Sequence, residues 1–206
     1  DEFEPFLERQ QSILAVNAKI PQFPVVFFKG PNTLQHPGQP ILLPTHLRSD
    51  EVDYECELAV VIGKTCKNVS RQDALKYVLA YTCANDVSAR DWQKGRGGGQ
   101  WCRGKSFDTF GPVGPCLVLT EDIPEPQNLN ILCRLNGAAV QSSNTRYMIF
   151  PIPEIVAFVS RNMTLLPGDI ITTGTPAGVS AMKHGDVVEV EVEGIGVLQN
   201  PVVEES

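Results

Sequence analysis

Residues 53–63 constrain the fold and the chemistry of this chain more than any other segment. Their apolar, β-branched second half predicts a strand that is buried on both faces. Because side chains alternate along a strand, Asp53, Glu55 and Glu57 should project from one face. Three neighbouring carboxylates repel one another, and burial costs several kcal/mol for each uncompensated charge. The acidic face therefore requires a neutralising partner.

Two kinds of neutralising partner are consistent with this acidic face. The carboxylates could stay in water or pair with Lys and Arg side chains, which is the ordinary outcome for an acidic strand. Alternatively, they could bind a hard divalent cation, which takes carboxylate oxygens and keeps positions for water or substrate oxygens. The second explanation predicts another oxygen ligand elsewhere in the chain, together with cationic groups that hold an anionic substrate.

Composition narrows the class of protein. At 206 residues the chain can form one domain with a substantial core, and its 17 Gly and 16 Pro, scattered rather than repeated, favour a β-rich fold. The net charge of −7, without a long basic run, argues against nucleic acid and anionic membranes as partners. No apolar segment approaches the ~20 residues that span a bilayer.

The cysteines indicate a reducing compartment, the cytoplasm or the mitochondrion. All six are widely spaced, and none forms a C-x-x-C pair, so a structural zinc site is not expected. Most lie in apolar, strand-like stretches, which is typical of buried thiols.

The chain is interpreted as a single domain over residues 21–206, preceded by an N-terminal segment or lid remnant over residues 1–20. Residues 24–30 predict a short strand, and residues 41–44 an edge strand. Ser70 and Asp73 have the spacing of a capping box and predict a helix after them. Further along, Asn136 and Gly137 predict a hairpin turn, and Pro153 opens a helix.

Residues 99–106 match the phosphate-loop pattern G-x-x-x-x-G-K-[ST]. That motif functions only where a strand precedes it and a helix begins at the Lys, so that backbone N–H groups converge on phosphate. Here a glycine run precedes the match, and Gly and Pro follow it closely. We therefore reject nucleotide binding and keep Lys105 as a cation that requires an anionic partner.

Five segments in order along the chain together resemble the fumarylacetoacetate hydrolase (FAH) family, in its domain-containing-protein branch of acylpyruvase and oxaloacetate decarboxylase-like proteins. They are residues 53–63, 85–93, 104–112, 136–145 and 167–179. The resemblance extends over roughly residues 20–203. It implies a mainly β (α+β) fold, an FAH-type mixed β-sandwich roll with a few short helices, that assembles as a homodimer.

The resemblance also implies a set of site residues. Glu55, Glu57 and Asp86 are expected to hold Mg²⁺ or Mn²⁺, so Asp86 is the additional ligand that the acidic strand requires. The expected catalytic residues are Lys105, which stabilises negative charge on the substrate, and Arg90. The substrate is expected to be bound by a partly overlapping set: Arg90, Gln93, Lys105, Gly174 and Thr175.

The implied activity is divalent-metal-dependent C–C bond cleavage, by decarboxylation or hydrolysis, of a small 2-oxo acid such as oxaloacetate or an acylpyruvate. Cleavage next to a 2-oxo group leaves an enolate, and the ion and Lys105 would stabilise its charge. Two alternatives remain: an isomerase or hydratase of a related 2-oxo dicarboxylic acid, and a metal-binding homologue without turnover.

One part of the family pattern has no match in this sequence. Hydrolytic and decarboxylating relatives carry a Gly-x-Asn-Tyr-x-x-His segment followed by a Glu, and this His/Glu pair activates or positions water. Residues 1–20 contain no His, and Glu8 is only a positional candidate. Either the pair is absent, or it belongs to a lid that this sequence does not include.

Overall fold

The computed structural model describes residues 20–206, and β-strands dominate them. The strands are β1 Leu34–Gln35, β2 Ile41–Leu43, β3 Val52–Asp53, β4 Cys56–Ile62, β5 Val78–Asn85, β6 Ser88–Ala89, β7 Gly111–Leu119, β8 Asn130–Leu135, β9 Ala138–Asn144, β10 Ile170–Thr172, β11 Val187–Val192 and β12 Gly196–Glu204. The helical elements are short 3₁₀ turns at Pro31–Thr33, Ala74–Tyr77 and Thr145–Tyr147, a π turn at Trp92–Arg96, and α-helices at Trp101–Lys105 and Ile152–Asn162.

Two five-stranded mixed sheets form the body of the fold. One has the order β1-β7-β5-β4-β10 and the other the order β2-β12-β11-β8-β9, while β3 and β6 pair separately. Most neighbours are antiparallel, but β1 runs parallel to β7 and β2 parallel to β12. The predicted mainly β, mixed-sheet architecture is confirmed, and β2 is an edge strand as expected.

The core lies between the two sheets. Val188, Val190 and Val192 alternate with half-buried residues along β11 and belong to the same apolar cluster as Leu58 and Val60 of β4. Each such aliphatic side chain contributes about 1.5–3 kcal/mol when fully buried. Every residue of β4 is buried, which confirms the strand predicted from the apolar run.

Other local predictions are also confirmed. The hairpin at Asn136 and Gly137 joins β8 to β9, and both residues have positive φ, as this turn type requires. The helix Ile152–Asn162 contains Pro153 in its first turn.

Two local predictions were wrong. Residues 24–30 form no strand, because no strand within residues 20–206 pairs with them. Ser70 does bond with Asp73, but only the 3₁₀ turn Ala74–Tyr77 follows, because the chain then enters β5 at Val78. Most of the six free thiols are buried, as expected, while Cys102 and Cys116 are exposed.

The rejected phosphate loop does not have phosphate-loop geometry. The helix Trp101–Lys105 ends at the Lys instead of beginning there. None of the helices in residues 20–206 combines the length and the apolar character needed to cross a membrane. The first 19 residues fall outside the described part of the chain, so the division at residue 20 stays a prediction.

Candidate metal centre

The pairing of β4 with β5 brings the three predicted metal ligands together. Cys56 lies opposite Asn85 and Glu57 opposite Ala84, so the same antiparallel register places Glu55 opposite Asp86. The hydrogen bond from Asp86 N to Glu55 O, 2.9 Å long, continues this register beyond the strand ends. One carboxylate oxygen of each of Glu55, Glu57 and Asp86 lies within 4.8 Å of the others, and all three residues are buried.

Two of the three carboxylates also have cationic partners. Lys105 Nζ donates to Glu55 Oε2 at 2.8 Å and to Asp86 Oδ2 at 2.7 Å, and Arg90 binds the other oxygen of Glu55. The ordinary explanation of the acidic strand, pairing with Lys and Arg, therefore holds for part of the cluster. It does not hold for Glu57, whose carboxylate accepts one hydrogen bond within residues 20–206, from the backbone N–H of Gly174 at 2.5 Å.

The protonation of the cluster follows from these contacts. Burial raises the pKa of Glu57 well above its ordinary value, and the charges of Asp86 and Glu55 raise it further. Burial alone would also raise the pKa of Asp86, but the attraction of Lys29 and Lys105 outweighs it and lowers that pKa. Glu57 is thus the carboxylate that lacks a matching positive charge.

This donor set fits a divalent cation. Carboxylate oxygens are the ligands that hard ions such as Mg²⁺ prefer in proteins, and a cation would compensate the under-neutralised Glu57. The buried triad could therefore bind a divalent metal.

A close helix contact positions Lys105. Its side chain is 2% exposed, and it ends the short helix Trp101–Lys105. At the preceding Gly104, a Cβ atom would lie 2.5 Å from Gln93 N and 2.7 Å from Ala89 O. Only glycine allows this approach, which carries the Lys105 ammonium into the carboxylate cluster. Although burial opposes it, the attraction of Asp86 and Glu55 raises the pKa of Lys105, so its ammonium stays charged.

Arg90 links several polar groups at the edge of the cluster. Its guanidinium donates to Asp53 at 3.0 Å, to Gln93 Oε1 at 2.7 Å and to Glu55. The pairing of β3 with β6 brings Arg90 here, because Val52 lies opposite Ala89. The expected proximity of Arg90 and Gln93 is observed, and Arg90 holds Glu55 in place.

All the predicted site residues line one cavity. They are Glu55, Glu57, Asp86, Arg90, Gln93, Lys105, Gly174 and Thr175. No histidine among residues 20–206 lines it. The N–H of Gly174 donates to Glu57, while the Thr175 hydroxyl donates to Cys56 O at 3.0 Å and accepts from Gln141 at 2.9 Å. The roles of Gly174 and Thr175 towards a substrate stay predictions.

Lys29 was not among the site residues predicted from the sequence. Its Nζ lies 2.7 Å from Asp86 Oδ1, and burial lowers its pKa in spite of that carboxylate. The signal was weak, because a single Lys after an apolar run resembles the end of a strand. Asn85 was not predicted either. Its Oδ1 accepts a hydrogen bond from Glu55 N at 2.9 Å and so orients the backbone of this metal ligand.

Comparison with known proteins identifies the family. A sequence profile described as "Fumarylacetoacetate (FAA) hydrolase C-terminal" matches residues 6–203. The chain belongs to this family. Members of the family include hydrolases, isomerases and decarboxylases, and the resemblance noted from the motifs is confirmed.

Individual relatives share sequence and fold. Bovine mitochondrial oxaloacetate tautomerase FAHD2A is 48% identical over 194 residues; the match covers 91% of this chain but only 61% of that protein's length. The crystal structure of 5-carboxymethyl-2-hydroxymuconate delta-isomerase from Mycobacterium smegmatis has a TM-score of 0.85 at 43% identity and covers 94% of this chain and 74% of that one.

A third relative contains a metal. Maleylpyruvate hydrolase from Sphingobium sp. SYK-6, in complex with manganese(II) and pyruvate, has a TM-score of 0.79 at 37% identity, covering 87% of this chain and 64% of that one. These proteins carry different reaction names on the same family fold.

Proposed function

We propose that this protein is a divalent-metal-dependent enzyme that acts on a small 2-oxo acid through its enolate, with C–C bond cleavage of oxaloacetate or an acylpyruvate as its reaction. The convergence of Glu55, Glu57 and Asp86 within 4.8 Å, with Lys105 between two of them, carries this proposal. The ion is Mg²⁺ or Mn²⁺, and the pyruvate in the manganese-containing relative supports a 2-oxo acid as the substrate class.

A divalent ion held by the triad would supply Lewis-acid charge next to the substrate's carboxylate and 2-oxo oxygens. The ammonium of Lys105 has three N–H groups, and Glu55 and Asp86 accept two of them. The third is left for a substrate oxygen on which negative charge develops. Such fixed charges in a buried site are usually the largest contribution to catalysis.

Arg90 and Gln93 bind the carboxylate side of the substrate in this proposal. Arg90 has five N–H donors, of which Asp53, Gln93 and Glu55 engage three. The two remaining donors allow Arg90 to bind a substrate anion while it still holds the carboxylate of the metal ligand Glu55. Gly174 and Thr175 border the same cavity, where they limit the space open to the carboxylate.

A second candidate reaction is the isomerisation of such acids between keto and enol forms. The names of two relatives, an oxaloacetate tautomerase and a delta-isomerase, favour it. Isomerisation and decarboxylation need no attacking water, and no histidine of residues 20–206 lines the cavity to activate one. Hydrolysis of an acylpyruvate would require such a group.

The test is a substrate panel with Mn²⁺ present. Loss of the enol absorbance of oxaloacetate without release of pyruvate reports isomerisation. Release of pyruvate from oxaloacetate reports decarboxylation, and release of pyruvate from an acylpyruvate reports hydrolysis. The rate must exceed that of Mn²⁺ alone and must fall to that level in Glu57→Gln. Oxalate, which resembles the pyruvate enolate, should inhibit. Absence of all three activities, with oxalate still bound, would favour a homologue without turnover.

We also propose a homodimer in a reducing compartment, the cytoplasm or the mitochondrion. The family membership and the name of the mitochondrial relative support this. Sedimentation equilibrium of the purified protein tests the dimer.

A further inference from the structure

Lys29 places a second ammonium group on a proposed metal ligand. Its Nζ donates to Asp86 Oδ1 at 2.7 Å and to Val87 O at 3.1 Å, and its side chain is 14% exposed. The other oxygen of Asp86, Oδ2, accepts from Lys105 at 2.7 Å. Each oxygen of Asp86 therefore already has a positively charged partner.

The backbone next to Lys29 is tethered, so its ammonium is held at this position. Phe28 N donates to Cys102 Sγ at 3.4 Å, and Ser106 Oγ donates to Phe28 O at 3.2 Å. The neighbouring Phe27 ring lies 4.9 Å from the Lys105 ammonium. These contacts fix Lys29 within the cluster and distinguish it from a mobile surface lysine.

The ammonium of Lys29 changes the net charge of the cluster. With every group ionised, four carboxylates and three cations meet here, which leaves a net charge of −1: Asp53, Glu55, Glu57 and Asp86 against Lys29, Arg90 and Lys105. A divalent ion would raise the total to +1, which an anion can neutralise. Without Lys29 the cluster would carry −2, which attracts a divalent ion more strongly, and the loaded site would be neutral.

We propose that Lys29 sets the balance between cation and anion affinity at this site: its ammonium weakens the binding of the divalent ion and strengthens the binding of an anionic 2-oxo acid beside it. This inference rests on the metal site of the proposed function. Even with the dielectric constant of bulk water, a unit charge about 5 Å from a doubly charged ion changes that ion's affinity by about tenfold.

The test measures binding alone, by isothermal titration calorimetry. EDTA-treated protein is titrated with Mn²⁺, and the Mn²⁺-loaded protein is then titrated with oxalate. In Lys29→Met, Mn²⁺ should bind about tenfold more tightly and oxalate about tenfold more weakly than in the wild type. Lys64→Met is the matched control, because Lys64 is an exposed lysine that does not line the cavity, and both affinities should stay at wild-type values.

A second variant separates charge from hydrogen bonding. Lys29→Gln keeps N–H donors for Asp86 and Val87 but has no charge, so it should behave like Lys29→Met. Restoration of wild-type affinities in Lys29→Gln would assign Lys29 a purely structural role and overturn the proposal. Circular dichroism of the metal-free variants checks their folding, and Lys29→Gln carries the test if Lys29→Met does not fold.

The remaining outcomes distinguish this inference from the proposed function. If Mn²⁺ binds to the wild type and not to Glu57→Gln, the triad is the ion site. Unchanged or weaker Mn²⁺ binding in Lys29→Met, or unchanged oxalate binding, then refutes the role of Lys29 alone. If Glu57→Gln binds Mn²⁺ as the wild type does, the metal site and the role of Lys29 are both refuted.

Discussion

Replacing Glu57 with Gln should stabilise the metal-free protein at neutral pH while it abolishes metal binding. The Gln side-chain oxygen can still accept the Gly174 N–H, so the substitution removes the charge and keeps the hydrogen bond. The carboxylate oxygens of the cluster lie within 4.8 Å of one another. At an effective dielectric constant of about 20, two unit charges at that separation repel by about 3.5 kcal/mol.

The net effect is smaller than the sum of these repulsions. Glu57 is repelled by Glu55 and Asp86, but the charge of Lys105 offsets part of that repulsion. We expect the free energy of unfolding of Glu57→Gln to exceed that of the wild type by about 2 kcal/mol near pH 7.5 with EDTA. With Mn²⁺ the order should reverse, because only the wild type gains stability from the bound ion, about 2.7 kcal/mol at a hundredfold excess over Kd.

The pH dependence supplies a second criterion. Because folding raises the pKa of Glu57, the folded protein binds a proton there more tightly than the unfolded chain does. The penalty for the ionised side chain is absent below the unfolded pKa of about 4.3 and grows as the pH rises towards the folded pKa. The advantage of Glu57→Gln should therefore vanish near pH 4.

Urea unfolding, followed by fluorescence across this pH range, measures the difference directly. Glu121→Gln is the control, because Glu121 is exposed and its replacement should change stability by less than about 0.5 kcal/mol. A Glu57→Gln protein that is less stable than the wild type in EDTA at neutral pH, or a difference that does not vary with pH, would refute the argument that Glu57 is under-neutralised.

Three other substitutions test the geometry of the site. Asp86→Ala should lower the free energy of unfolding by about 3 kcal/mol in urea, because it removes the carboxylate bound to Lys29 and one of the two bound to the buried Lys105. Gly104→Ala should lower it by a similar amount, about 3 kcal/mol, because the added Cβ would lie 2.5 Å from Gln93 N. Arg90→Lys should reduce kcat/KM towards a 2-oxo acid by roughly 30-fold, since an ammonium cannot hold Glu55 and its other partners in the geometry of a guanidinium.

The buried acidic strand was predictable from the sequence, because its alternation and its burial depend on residues that are adjacent in the chain. Alternation along a strand places Glu55 and Glu57 on one face whatever the rest of the chain does, and the apolar run of β4 requires burial. The hairpin turn at Asn136 and Gly137 is likewise determined by residues that are adjacent in the chain. The position of Asp86 was obtained only through the family resemblance, since no local pattern relates a residue to a partner across a sheet.

The tertiary structure alone decided which charges meet. Residues 24–30 have the composition of a strand but form none, and this unpaired segment brings Lys29 to Asp86, 57 positions away in sequence. The sequence motifs that contain Gly104 do not reveal that its contact with Gln93 places Lys105 among the carboxylates. Composition and periodicity specify which side chains must be buried. Whether a buried carboxylate meets an ammonium depends on long-range packing, because the Coulomb energy depends on distances that only the folded chain defines.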